Sequence, residues 1–70
     1  MTFTGLLFDL AQYSQATDRR EITHTDYIYF QRMEARITDA YQAGKIQQIE
    51  YDAANKAYYS IKRRLRAMLF

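Results

Sequence analysis

A single glycine, Gly44, separates two runs of helical periodicity in a chain without proline. Before it, apolar residues fall at Phe30, Met33, Ile37, Ala40 and Tyr41. After it they fall at Ile46, Ile49, Ala53, Ala57, Ile61, Leu65 and Met68, with Ala54, Tyr58 and Leu69 widening the stripe. Steps of three and four mark one face of a helix, and alternation by two fits neither run. Gly44 suits the residue just past a helix end, where positive φ carries no Cβ clash. Lys45 beside it suits the negative end of the helix dipole. Gln47 is a mediocre N-cap, but Glu50 stands where a capping-box partner belongs. The expected fold is all-α: an antiparallel helical hairpin with helices at about 24–43 and 47–69.

The tip, Tyr41-x-Ala43-Gly44-Lys45-Ile46-x-x-x-Glu50-Tyr51-Asp52, resembles the short bacterial and phage helical hairpins of the SHOCT type. Their pattern is a Leu or Tyr, Gly-x-Ile, a Thr or Ser cap, then Glu-Glu and an aromatic. Gln47 departs from it at the cap. The resemblance covers about thirty residues and implies an oligomerisation or docking module without catalytic residues.

Upstream, Phe3, Leu6, Leu7, Leu10, Ala11 and Tyr13 repeat the helical spacing, with Thr4 as a candidate N-cap. A shorter N-terminal helix at about 4–15 is expected across the open end of the hairpin. Phe3, Leu6, Leu7 and Leu10 would then meet Met68, Leu69 and Phe70. The alternative is an extended arm at Thr2–Phe8, packed on or swapped with another subunit. Residues 16–22 are polar and charged and read as a loop. Thr23 with Asp26 forms a capping-box-like pair at the start of the next helix. His24, the only histidine, lacks partner ligands and reads as a solvated or capping residue rather than a pH switch. Tyr27, Ile28, Tyr29 and Phe30 cannot all turn inward, so Ile28 or Tyr29 should meet the N-terminal helix, a second subunit or a partner.

Seventy residues make one domain, 1–70, with a small core. Such chains usually need a staple, and there is no cysteine to supply a disulfide. Self-association, most simply a homodimer forming a helical bundle, is the remaining device. The start lacks a basic signal-peptide region and no apolar run reaches membrane-span length, so a cytoplasmic protein without a membrane span is expected.

Charge is segregated. Residues 1–35 carry three basic and five acidic groups, and residues 36–70 carry seven and three. From Lys56 to Phe70 there are five basic groups and no acid. Lys56, Tyr59, Arg63 and Arg66 share one helix face, opposite Ala57, Ile61 and Leu65. Cations interleaved with an aromatic suit a phosphate backbone, and the amphipathic run also suits an anionic membrane surface. The plainer reading is that Asp18, Glu21 and Asp26 compensate the run from across the fold. Tyr51, Tyr58 and Tyr59, with Tyr41, exceed what one helical seam buries, and Tyr and Arg are favoured at interfaces.

No phosphate-binding glycine loop, HExxH, cysteine nucleophile or paired carboxylates appear, so no enzyme, cofactor or metal site is expected. The expected function is a non-enzymatic interaction protein that binds a larger protein and modulates or inhibits it. Chains of this size and composition are common among phage and mobile-element proteins, including inhibitors of host systems. The candidate partner-binding face is Tyr51, Lys56, Tyr59, Arg63 and Arg66. The alternatives are a small nucleic-acid-binding dimer using the C-terminal helix, and a structural self-assembly module.

Overall fold

A computed structural model describes residues 2–70. The described chain forms three α-helices and no strand: α1 (Phe3–Asp18), α2 (His24–Gln42) and α3 (Gln48–Leu69). They pack into a body of 34 × 17 × 17 Å.

The helix ends follow from local chemistry. At the start of α2, the Thr23 hydroxyl accepts from the Asp26 N–H at 3.2 Å, and the Asp26 carboxylate accepts from the Thr23 N–H at 2.9 Å. This reciprocal pair satisfies two otherwise orphaned donors. At the end of α2, Gly44 has φ +73°. The Gly44 N–H donates to the Tyr41 carbonyl at 3.0 Å and the Lys45 N–H to the Ala40 carbonyl at 2.9 Å. That double bond pattern is a Schellman cap. The Gln47 N–H donates to the Glu50 carboxylate at 2.8 Å, opening α3.

α1 differs from expectation at both ends. Thr2, not Thr4, is its N-cap, accepting from the Gly5 N–H at 3.1 Å, so residues 3–8 are helical rather than an extended arm. At the other end the helix continues to Asp18 instead of stopping near residue 15. Arg20 takes φ +55°, while the Arg20 and Glu21 N–H groups donate to the Thr17 and Ala16 carbonyls. This is the same cap as at Gly44, built on a residue whose side chain disfavours it. With arginine rather than glycine at the left-handed position, no local stop signal marks residue 20. Ile22, read as part of a polar loop, is buried beside the start of α2. It occupies the position before the N-cap, and the buried Tyr27 occupies the fourth helical position, the two sites of a hydrophobic staple.

The direction of α1 is also a correction. Its last turn, rather than its first, lies beside the end of α3: Arg64 pairs with Asp18 and donates to Ser14 at 2.8 Å. Phe70 instead packs edge-on against His24 and Tyr27, with ring centroids 5.3 Å apart in each case. The reason is the short connection between α1 and α2, which keeps the end of α1 near the start of α2. Along α2 and α3, contacts pair residues 24 with 69, 34 with 59 and 41 with 51, in reversed chain order. The start of α2, and with it the end of α1, therefore lies beside the end of α3.

The core is centred on Phe30, fully buried. Its ring stacks on Tyr58 at 4.6 Å and meets Tyr13 edge-on at 5.3 Å. Leu6, Leu10, Met33, Ile37, Ala54 and Leu65 complete the centre. The α3 seam runs along Ala54, Tyr58, Ile61 and Leu65, whereas Ala53 and Ile49 face solvent. Ile49, 77% exposed, is covered by neither α1 nor α2. Ile28 and Tyr29 are both about half exposed, and α1 covers neither. It engages the other flank of α2, through Tyr13 against Phe30 and Asp9 against Arg36 at 2.7 Å.

Candidate interaction face

The solvent side of α3 carries the expected stripe only in part. Lys56, Tyr59, Arg63 and Arg66 are all exposed, at spacings of three, four and three. Tyr59, Arg63 and Arg66 line a shallow concavity of about 420 Å³, and the fourth wall is Lys62. Lys62 was missing from the sequence-derived face because it lies toward α2. The available signal was its spacing of three from Tyr59 and four from Arg66, which makes it a neighbour of both. Its ammonium sits 5.8 Å from the Tyr59 ring centroid and 5.9 Å from that of Tyr58. Lys62 and Arg66 also border a second hollow of about 340 Å³ with Tyr27, Gln31 and Phe70. Cations and aromatic faces thus form one continuous strip from Tyr59 to Phe70.

Tyr51 is not part of this strip. Its half-buried ring stacks on Tyr41 at 4.4 Å, and the Tyr41 hydroxyl hydrogen-bonds the Gln48 side chain. The pair braces the turn between α2 and α3. Lys56 stays on the stripe, one turn before Tyr59, but does not line the concavity.

The cations of the strip are largely uncompensated by acids within the fold. Among the described residues the salt bridges are Asp9 with Arg36 and Asp18 with Arg64. Lys56, Lys62, Arg63 and Arg66 form none. The anticipated compensation of the basic run is therefore confined to Arg64. Asp26 is held by the Thr23 cap instead. Glu34 is the acid beside the strip, and it accepts a 3.0 Å hydrogen bond from the Tyr59 hydroxyl. That bond, with the adjacent carboxylate charge, raises the Tyr59 pKa by favouring the neutral phenol. It also ties the exposed Tyr59 side chain to α2.

His24 is engaged rather than merely solvated: its Nε2 lies 3.1 Å from the Leu69 carbonyl oxygen, where an N–H would donate, and its ring meets Phe70. Among the described residues no cluster of three His, Cys, Asp or Glu side chains could hold a metal ion. Among the described residues no helix is long and apolar enough to cross a membrane. The chain matches no family model, no curated protein and no solved structure.

Proposed function

We propose that this chain is a small non-enzymatic interaction module that binds and modulates a larger protein through the outer face of α3. In this reading α2 and α3 act as an antiparallel helical hairpin braced by α1, and the chain works as a homodimer. The resemblance at the tip, Tyr41 to Asp52, points to the same kind of docking role. The observation that carries the reading is the meeting of Tyr59, Lys62, Arg63 and Arg66 in one concavity, with none of the three cations in a salt bridge among the described residues. Tyr and Arg are among the residue types enriched at the hot spots of protein interfaces. The complementary surface is an acidic patch with an apolar contact for the Tyr59 ring.

Nucleic acid is the second reading, favoured by the same cations. Against it stand the net charge of only +2 and the Glu34 carboxylate beside Tyr59. Phosphate-driven binding would weaken steeply with salt.

The test places a photo-crosslinking residue at Arg63, with a control at Gln12 on α1, and compares captured proteins with and without nuclease. A protein crosslinked from position 63 but not 12, regardless of nuclease, is expected. The double variant Tyr59→Ala, Arg63→Ala should retain full helicity and bind that protein at least about tenfold more weakly. Unchanged affinity in the double variant would remove this face from the argument.

A further inference from the structure

The α1 helix carries an unusual surface. Asp9 is the one charged residue between Phe3 and Thr17, in a chain that is 26% charged. That single carboxylate is taken up by Arg36 at 2.7 Å. The exposed positions of α1 before Asp18 are Thr4, Leu7, Phe8, Ala11, Gln12 and Gln15, and none is charged. The exposed sides of α2 and α3, by contrast, carry Arg32, Asp39, Lys56, Arg63 and Arg66. Depletion of charge around large apolar side chains is the compositional mark of an interface centre.

Phe8 supplies the large apolar side chain. It is 62% exposed and lies off the stripe of Leu6 and Leu10 that faces the core. Beside it runs a groove between α1 and α3, about 280 Å³ in volume. Leu7, Leu10, Ala11, Ala57, Ser60 and Ile61 line it, with Ser14 and Arg64 at one end. The small residues Ala11 and Ala57 leave the groove open, and Arg64 is already tied to Asp18 and Ser14. The concavities on the other flanks are rimmed by Asp39 and Lys45, or by Lys62, Arg63 and Arg66.

We propose that this face of α1, with Phe8 as the knob and the α1/α3 groove as the receptor, joins two copies of the chain about a twofold axis. The inference rests on the homodimer reading above and names its surface. A protruding ring and a receptive groove on the same patch are what an isologous contact requires, since each copy gives its Phe8 to the other. Charge selects the occupant. Two α1 faces bring no like charges together, whereas pairing through α3 would set Lys62, Arg63 and Arg66 against their own copies, which is costly. A strongly charged foreign partner would find nothing complementary on α1. α1 is about 24 Å long at the standard rise, and the molecule is 17 Å across. Each copy therefore offers at most roughly 400 Å² of projected face, no more than about half the area per partner of a standard interface. Such a dimer is reversible. It leaves both α3 strips free, so one assembly presents two partner-binding faces, which raises avidity for a repeated target.

Sedimentation velocity from micromolar to millimolar concentration tests this. The mass of the wild type should rise from the 8.4 kDa of one chain toward twice that value. Phe8→Glu and, separately, Ala11→Arg should each weaken association at least about tenfold, with far-ultraviolet circular dichroism unchanged. Ile28→Glu, at a comparably exposed apolar position on α2, should follow the wild-type curve. Two variants are used so that a folding defect in one leaves the other decisive. A wild type that stays at single-chain mass throughout overturns the proposal together with the homodimer reading. A dimer that survives both Phe8→Glu and Ala11→Arg overturns this surface alone and leaves the homodimer reading standing.

Discussion

Replacing Phe30 with alanine removes the side chain around which all three helices are packed. Phe30 is fully buried, stacked on Tyr58 from α3, edge-on to Tyr13 from α1, and 6.3 Å from Tyr27 one turn earlier in α2. Loss of a buried phenylalanine costs about 3–5 kcal/mol through lost transfer energy and the cavity left behind. Each lost ring pair adds up to about 1 kcal/mol, and rigid helices on three sides limit collapse. The upper end, about 4–5 kcal/mol, is therefore expected. A chain of this length has about 4–10 kcal/mol of total stability. The variant should be largely unfolded at 37 °C or have its melting temperature lowered by about 20 °C or more. Phe30→Leu keeps most of the volume and should cost about 1–2 kcal/mol. Tyr29→Ala, at an exposed neighbouring position, should stay within about 0.5 kcal/mol. The assay is urea unfolding followed by circular dichroism, at one fixed protein concentration because self-association shifts apparent stability. A cost below about 1 kcal/mol for Phe30→Ala, or an equal cost for Tyr29→Ala, would refute the packing argument.

Two further outcomes follow from backbone and charge. Gly44→Ala places a Cβ at φ +73° with nothing within 4 Å, so it should cost about 1–2 kcal/mol by backbone strain alone. Arg20→Gly, at φ +55°, should have the opposite sign and stabilise by up to about 1 kcal/mol. Paired urea melts check both. At alkaline pH, burial, followed by the Glu34 carboxylate, pushes the Tyr58 phenol from 10.0 up to about 12. The neutral phenol is thus held in the fold while the unfolded chain still ionises near 10. The contribution of this phenol to stability should be level below about pH 10 and be lost progressively between about pH 10 and 12. Tyr13, raised mainly by burial, acts in the same direction. Tyr58→Phe should shallow the loss; an identical pH profile in that variant would contradict it.

The elements that were legible in the sequence are those whose physics is local. Steps of three and four placed Phe30, Met33 and Ile37 inward, because the 3.6-residue turn puts them on one face whatever they pack against. Thr23 with Asp26, Gln47 with Glu50, and Gly44 each act within four residues, so the ends of α2 and the start of α3 could be read directly. Where the signal was not local, reading failed. Arg20 occupies a left-handed position that glycine usually marks, so α1 ends three residues beyond the expected stop. Ile22 looked like loop because its burial depends on the helices on either side.

Only the tertiary structure decided which flanks are covered. Periodicity gave α3 a broad apolar stripe; the approach of α1 and α2 from two sides selected Ala54, Tyr58, Ile61 and Leu65 as its centre and left Ile49 in solvent. The same arrangement gave Tyr51 to the turn, brought Lys62 beside Tyr59, and let Asp18 reach Arg64 but none of the other cations on α3. Hydrophobic attraction has no direction of its own. A sequence therefore determines that α1 has an apolar face, while the short connections and the fit of neighbouring helices determine where that face goes. In this chain, that choice buries Leu6 and Leu10 and leaves Phe8 at the surface.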